Sequence, residues 1–174
     1  LVGGIFFIGY LLLQIPGGHL AQKVSAKKII TYCMVAWGVV CISIGLVQSG
    51  GLLLTMRFLL GLSQSMLYPT TLILIGKWFP QRERARAIGY WSIGATVSNF
   101  IVGPLSGFLV DHFSWQMLFV FQGIPVLVGV IFWVWLIAET PAEAKFLSQK
   151  EKEYLAREFS NDAKNSTKSN DKSV

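Results

Sequence analysis

The sequence predicts an all-α integral membrane protein, and two observations carry this prediction: its composition and its pattern of apolar runs. Of the 174 residues, 53% are hydrophobic and only 14% are charged, whereas a soluble domain carries about 25% charged residues. Apolar runs of about 20 residues, the length that crosses the hydrocarbon core of a bilayer, recur along the chain. The five predicted spans are about 1–21, 29–48, 52–77, 87–110 and 115–137.

Basic residues lie at alternate ends of these spans. Three Lys residues fall within 22–28 and four Lys or Arg residues within 77–86, whereas 48–51 and 111–114 contain neither type. Cytoplasmic loops carry an excess of Lys and Arg, so we expect 22–28, 77–86 and the tail 138–174 in the cytoplasm. The net charge of +6 then reflects topology. We predict a multi-pass protein of the cell membrane (plasma or inner), with the lipid bilayer as a partner and no nucleic acid.

The chain divides by composition into three regions. Residues 1–137 are predicted to form the five-helix transmembrane bundle, 138–160 a cytoplasmic amphipathic helix region, and 161–174 a disordered polar tail. Ser148 and the acid three residues later have the spacing of a capping box, which predicts a surface helix over about 148–159. The tail is rich in Ser, Asn, Lys and Asp, and this composition cannot bury a core.

The third predicted span holds one charge away from its ends, that of Arg57. A charged side chain inside a membrane helix is costly and is usually functional. Helical spacing puts four further residues on its face, namely Gly61, Gln64, Tyr68 and Thr71. We expect this stripe to face a wet cavity or a polar neighbour. On the residues alone, Arg57 is equally a carboxylate ligand or an anchor reaching the outer interface about 7–8 Å away.

Two other spans carry polar stripes by the same counting. The fourth span has Ser92, Thr96, Asn99, Gly103 and Ser106, and the first has Tyr10, Gln14 and Gly17. We therefore predict that spans one, three and four line a cavity, and that spans two and five face lipid. The alternative is that these polar side chains only join neighbouring helices, through bonds worth about 1 kcal/mol.

The sequence offers little for enzyme chemistry. The predicted spans contain no acid, and the chain has no Gly-x-Ser-x-Gly elbow, phosphate-binding loop or His/Cys/Asp cluster. A membrane enzyme needs titratable groups or a metal at its site. Cys33 and Cys41 are separated by about 12 Å of predicted helix, which is too far for a disulfide. We predict no enzymatic activity, no metal site and no cofactor.

Three motifs resemble those of a known transporter family. Residues 18–28 read GHLAQKVSAKK and resemble the Gly-x-x-x-Asp-Arg/Lys-x-Gly-x-Arg/Lys-Arg/Lys signature between helices two and three of the major facilitator superfamily. Arg57, with the small residues four and eight positions later, resembles its helix-four motif. Residues 78–87 (WFPQRERARA), with 103–107 (GPLSG) and Asp111, are similar to its anion:cation symporter branch, particularly the tartrate- and phthalate-permease-like members. The resemblance covers about residues 1–159.

The resemblance implies a partial N-terminal helix bundle, with the five spans corresponding to helices two to six of a twelve-helix transporter. Helix one and the second half would then be missing from this chain. The implied function is that of a fragment of a secondary active transporter, which moves a small organic anion (a carboxylate) by alternating access. The implied partners are that anion, a coupling proton or Na⁺, and the missing second half. The alternative is a non-transporting membrane subunit or a gene remnant.

The resemblance also assigns site residues. The implied substrate-binding residues are Arg57, Gln64, Tyr68, Asn99, Gln14 and Tyr10. The implied gating residues at the basic segments are Gly18, Gln22, Lys23, Lys27, Lys28, Arg82, Glu83, Arg84 and Arg86. Four positions depart from the family pattern: Gln22 stands where an Asp is usual, Gln64 where close relatives often carry a Glu, Gln122 where a Glu is frequent, and Gln116 where an Arg is frequent. Because Gln does not titrate, proton coupling through position 64 is not expected.

Overall fold

The computed structural model describes residues 2–144 and 146–170, without the side chains of Val2, Gln22 and 163–170. All its long elements are α-helices. In chain order, the first six are α1 Val2–Lys23, α2 Ala26–Ile44, α3 Gly50–Ser65, α4 Leu67–Trp78, α5 Gln81–His112 and α6 Trp115–Leu136. A 3₁₀ turn at Pro141–Glu143 leads to α7, Gln149–Asn170. Within this part of the chain, five segments are long and apolar enough to cross a membrane, with α3 and α4 together forming one of them. The predicted fold class is confirmed.

At the two basic segments, 22–28 and 77–86, the helices extend beyond the predicted spans. The segment 22–28 is not a loop, because α1 continues to Lys23 and α2 begins at Ala26. Likewise α5 begins at Gln81, so the charges at 82–86 lie in its first two turns. With 32 residues, α5 is about 48 Å long, well beyond the roughly 30 Å hydrocarbon core. Hydropathy marks only the part of a helix that must be apolar, so the predicted spans stop short of these helix ends.

The third span is divided at its middle. Pro69 has no N–H to donate to the carbonyl of Ser65, and its ring crowds the preceding turn. Accordingly α3 ends at Ser65 and α4 begins at Leu67. The hydroxyl of Ser65 donates to the carbonyl of Leu62 at 2.7 Å. The prediction counted 52–77 as one span, and the proline explains why two helices form it.

Two helix pairs pack closely because glycines remove side chains from their contacts. A Cβ on Gly61 of α3 would overlap the carbonyl of Phe6 on α1, and a Cβ on Gly38 of α2 would lie 2.5 Å from Leu127 on α6. Small residues at such contacts allow the van der Waals packing that holds membrane helices together. The buried cluster where α2, α3 and α6 meet consists of Cys41, Ile44, Leu60 and Phe119. By contrast, every residue of α5 from 89 to 105 is exposed.

The last helix is longer than predicted. Its capping box is present, since Ser148 N–H donates to the carboxylate of Glu151 at 2.8 Å. The helix does not end near residue 159 but continues to Asn170, so it includes residues 161–170 of the predicted polar tail. Once a cap has nucleated a helix, each further residue costs little. In addition, the carboxylate of Asp162 accepts a hydrogen bond from the N–H of Gln81 at 2.8 Å, which ties α7 to the start of α5. Residues 171–174 lie outside the described part.

Candidate functional site

Arg57 lies in the interior of α3 and points towards α6. Its guanidinium carbon lies 4.8 Å from the centroid of the Phe119 ring, a cation–π contact. Its Nε atom is buried and has no hydrogen-bond partner among the described residues. The position is seven residues after Gly50, the first residue of α3, or about 10 Å along the helix. The aromatic ring thus holds the planar cation in place, and no acid of the predicted spans is available to neutralise it.

The residues of the Arg57 stripe face three different neighbours. Gly61 contacts α1, as described above, while the Tyr68 ring lies against Trp91 of α5 with centroids 5.4 Å apart. Thr71 donates its hydroxyl to the carbonyl of Leu67 within its own helix, at 2.7 Å. Gln64 is half-buried. The break between α3 and α4 and the drift of the helical repeat together spread the stripe over α6, α1 and α5.

The remaining predicted substrate ligands make local contacts. Asn99 is exposed, and its amide donates to the carbonyl of Ala95 one turn earlier, at 3.1 Å. The Tyr10 ring stacks on Phe6 with centroids 6.1 Å apart, and Gln14 is half-buried. In the described part of the chain, no hydrogen bond connects two of the six predicted ligands Arg57, Gln64, Tyr68, Asn99, Gln14 and Tyr10. A joint site built from these residues therefore stays a prediction.

A carboxylate at the basic end of the bundle joins three helices. Glu139, three residues after the end of α6, accepts hydrogen bonds from the Ser25 hydroxyl at 2.7 Å, the Ala26 N–H at 3.0 Å and the Lys27 N–H at 2.9 Å. It also forms an ion pair with Lys77, in the last turn of α4. The first N–H groups of a helix have no partner within the helix, so Glu139 satisfies the start of α2 from outside.

The surroundings of Glu139 determine its charge. Burial on its own would raise the pKa of this carboxyl, but hydrogen bonds from Lys77, Ser25, Lys27 and Ala26 outweigh burial and lower the pKa to about 2. Its side chain is 18% exposed, and that of Lys77 is 37% exposed. Glu139 therefore stays ionised at every physiological pH, and the ends of α2, α4 and α6 share a fixed negative charge.

The predicted gating residues surround this network. The Lys27 ammonium donates to the carbonyl of Val134 at the end of α6, at 3.0 Å, and Arg84 donates to the carbonyl of Gly76 at the end of α4, at 3.1 Å. Cations at such carbonyl ends are favourable. Gly18 lies beside Pro69, while the side chain of Gln22 lies outside the described atoms. The other predicted gating residues are exposed: Lys23, Lys28, Arg82, Glu83 and Arg86.

Comparison with known proteins establishes the family. The family model for the Major Facilitator Superfamily matches residues 1–170. The chain belongs to this superfamily. Its members are transporters and not enzymes, in agreement with the absence of an enzyme motif from the sequence. The resemblance drawn from the motifs is thereby confirmed at the level of the family, and the five membrane-crossing segments belong to a multi-pass membrane protein.

Each individual match covers most of this chain but only a minor part of the matched protein. A quinolone resistance transporter of Acinetobacter baumannii is 33% identical over 166 residues, which are 91% of this chain and 38% of that protein. A protein of Agrobacterium vitis whose name includes "tartrate transporter" is 31% identical, over 88% of this chain and 37% of its own length. The solved structure of a bacterial homolog of the human lysosomal transporter Spinster, inward-facing and unoccupied, covers 86% of this chain and 37% of its own, with a TM-score of 0.69 and 23% identity.

Sequence reasoning missed three residues whose surroundings in the structure set them apart. Glu139 was not selected, although it is the first acid after the fifth predicted span, and its position opposite the basic segments was an available signal. Phe119 was missed because an aromatic residue in an apolar helix looks like any other core residue. Trp133, whose buried indole N–H has no partner among the described residues, was missed for the same reason.

Proposed function

We propose that this chain forms part of a secondary active transporter that moves a small organic anion across the membrane by alternating access. The observation that carries this proposal is the position of Arg57. Its guanidinium is held against Phe119 inside a membrane-crossing segment, and its buried Nε has no partner among the described residues. A cation in that position is costly unless it meets an anion during the working cycle. A carboxylate matches its two-pronged geometry.

The proposed substrate class is carboxylates, because of Arg57, and the name of one relative described above supports it. The Agrobacterium vitis protein has tartrate, a dicarboxylate, in its name. The name of the Acinetobacter baumannii protein refers to a drug class instead, so the relatives do not agree on a substrate. The neutral hydrogen-bonding groups of Gln64, Tyr68, Asn99, Gln14 and Tyr10 are proposed to complete the site around the anion as the protein moves between its states.

The basic end of the bundle is proposed to be cytoplasmic, in the cell membrane, and to form the gate. The positive-inside rule supports this orientation. Gating requires several helices to move together, and the Glu139 network makes the ends of α2, α4 and α6 one unit. The second half of the transporter is the proposed partner across the cavity, because solute sites in such transporters lie between the two halves. The proposed coupling ion is a proton or Na⁺, and the uncharged Gln64 takes no part in proton transfer.

Anion binding can be tested by ligand-dependent thermal stability of the full-length transporter that contains this chain. We expect four-carbon dicarboxylates such as tartrate to raise the melting temperature, and the neutral polyol erythritol to leave it unchanged. At 100 times the dissociation constant, a ligand adds about 2.7 kcal/mol of stability, a shift of several degrees. Arg57→Ala should abolish this shift, while Thr55→Ala, an exposed position on the same helix, should retain it. An equal shift in Arg57→Ala would show that Arg57 is an anchor and not a ligand.

A further inference from the structure

A groove at the basic end of the bundle is separate from the Arg57 region. It has a volume of about 840 Å³ and opens between the start of α2 and the end of α6. Lys27, Lys28 and Tyr32 contribute to one wall, and Trp135 and Phe146 to the other. Neither the predicted substrate ligands nor the exposed basic residues of α5 line it. The gating interpretation uses the lysines of this region but leaves the groove itself unexplained.

The walls of this groove have the character of a membrane interface. Trp135 is 89% exposed, Tyr32 is 73% exposed and Phe146 is 63% exposed. Aromatic residues are enriched at headgroup level, and Tyr and Trp there combine an apolar body with a polar tip. The Phe146 ring is fixed by stacking on Trp78, with centroids 5.8 Å apart and planes 7° from parallel. Exposed apolar residues of α6, including Ile131 and Phe132, continue from the groove along the outer face of the bundle, where acyl chains would lie.

The charge of the groove favours an anion. The lining contains two lysines, Lys27 and Lys28, and two acids, Glu139 and Glu143. Because Glu139 is neutralised by its ion pair with Lys77, the other three charges of the lining sum to one net positive charge. Among the described residues, the ammonium of Lys27 donates one hydrogen bond, to the carbonyl of Val134, and the ammonium of Lys28 takes part in no hydrogen bond or ion pair. The N–H groups of Ala26, Lys27 and Lys28 are bonded to Glu139 and Ser25. The lysine side chains, and not the helix end, are therefore available to a ligand.

We propose that this groove binds the headgroup of an anionic phospholipid, with its phosphate between Lys27 and Lys28 and its acyl chains along the exposed face of α6. A lipid fits better than free phosphate, because one net positive charge is weak for a small ion in water, whereas the aromatic walls add apolar contact to a tethered phosphate. Basic pockets between membrane helices recognise anionic headgroups in this way, and each Lys near such a surface contributes about five-fold to the association constant. The proposal does not depend on which solute is transported.

The test measures lipid binding to the purified full-length transporter that contains this chain, in detergent, by native mass spectrometry. Delipidated protein is titrated with phosphatidylglycerol, with phosphatidylcholine of the same acyl chains, and with phosphatidylglycerol in the presence of inorganic phosphate. We expect phosphatidylglycerol to bind at least five-fold more tightly than phosphatidylcholine, and inorganic phosphate at equal concentration not to displace it. Lys28→Gln should weaken phosphatidylglycerol binding about five-fold, and Lys27→Gln with Lys28→Gln more than ten-fold.

Lys150→Gln is the matched control, because it removes one Lys from the exposed face of α7 and should not change lipid binding. Helix content by circular dichroism verifies folding. If the double variant unfolds, Lys28→Gln alone is the test, since its ammonium makes no hydrogen bond or ion pair with the described residues. The proposal is overturned by equal binding of the two lipids, by an equal loss in Lys28→Gln and Lys150→Gln, or by displacement with inorganic phosphate. The last result would identify an ion site instead of a lipid site.

Discussion

Two charged residues of this chain, Glu139 and Arg57, differ in whether neighbouring groups compensate their charge. Glu139 is surrounded by donors from α2 and by the ammonium of Lys77, so its charge is compensated within the described chain. Arg57 has an aromatic ring beneath it, and no partner for its Nε atom within that same part of the chain. A compensated charge stabilises the fold, whereas an uncompensated one inside a membrane helix is costly and is the starting point for a functional hypothesis. This contrast separates the structural role of Glu139 from the binding role proposed for Arg57.

The stabilising role of Glu139 predicts a specific pH dependence. Its pKa in the folded chain is about 2, below the ordinary value of 4.5. A carboxyl with a lowered folded pKa stabilises the fold above its unfolded pKa and loses that contribution as the pH falls through the folded value. Glu139→Gln should therefore lower the free energy of unfolding at pH 7 by about 1–2 kcal/mol, a figure reduced for solvent screening of the partly exposed pair. The difference from wild type should shrink between pH 4.5 and pH 2.

Unfolding in detergent, followed by circular dichroism at pH 7, 4.5 and 3, measures this difference. Glu143→Gln is the control, since Glu143 is exposed, and it should change the stability by less than about 0.5 kcal/mol. A pH-independent effect of Glu139→Gln would contradict the ionic account of this network.

Arg57 could be recognised from the sequence alone, whereas the only sequence signal for Glu139 was its place after the fifth predicted span, opposite the basic segments. A lone cation in an apolar run stands out, because hydrophobicity is read directly from the residues. The importance of Glu139 arises because it meets the start of α2 and the end of α4, whose residues are 62 to 114 positions away from it along the chain. No local pattern encodes such a meeting. Phe119 likewise becomes significant only when α6 packs beside α3.

At the level of the helices, the number of spans was predictable and their ends were not. Hydropathy detects only the part of a helix that lies in the hydrocarbon core. The fourth span was therefore predicted as 24 residues, from 87 to 110, whereas the helix that contains it, α5, has 32 residues. The division of the third span at Pro69 follows from proline chemistry. The choice of helix neighbours depends on glycines whose role appears only when two backbones meet, as they do at Gly61 on α3 and Gly38 on α2.

The close approach of α1 and α3 predicts a large effect from a small substitution. In Gly61→Ala, the added Cβ would meet backbone atoms of Phe6 and Tyr10, which cannot rotate away as a side chain can. We expect the free energy of unfolding to fall by about 1–3 kcal/mol, as for other overpacked sites. Gly94→Ala is the matched control, because a Cβ there has nothing within 4 Å, and alanine should be neutral or stabilising in a helix by up to about 1 kcal/mol. Equal destabilisation by the two variants would refute this packing account.

The whole molecule is a membrane bundle with one open side. The α2–α6 and α1–α3 pairs are closely packed, whereas α5 is exposed from 89 to 105. The chain spans 37% and 38% of the lengths of the two relatives described above. We propose that the bundle holds part of a solute site and that a second half of the transporter forms the opposing wall of the cavity.

The orientation of the bundle is predicted by its charges and can be tested by cysteine labelling. After replacement of Cys33 and Cys41 by Ser, single cysteines are introduced at Gln48, Ser114 and Ala85, all of which are exposed. An impermeant maleimide added outside intact cells should label the first two positions and not the third. After the membrane is permeabilised, the third should react as well. The reverse pattern would contradict the cytoplasmic assignment of the basic end.

The central claim is that Arg57 binds an organic anion during transport, and uptake measures this most directly. The full-length transporter containing this chain is reconstituted in liposomes, and uptake of a radiolabelled dicarboxylate is followed. Arg57→Ala should lose about 2–5 kcal/mol of binding, or roughly 30-fold to several thousand-fold in apparent affinity, with membrane insertion unchanged. Arg57→Lys should restore little, because an ammonium lacks the planar fork. Gln64→Ala should cost only about 1 kcal/mol. Uptake of the anion at the wild-type rate by a correctly inserted Arg57→Ala protein would contradict the account.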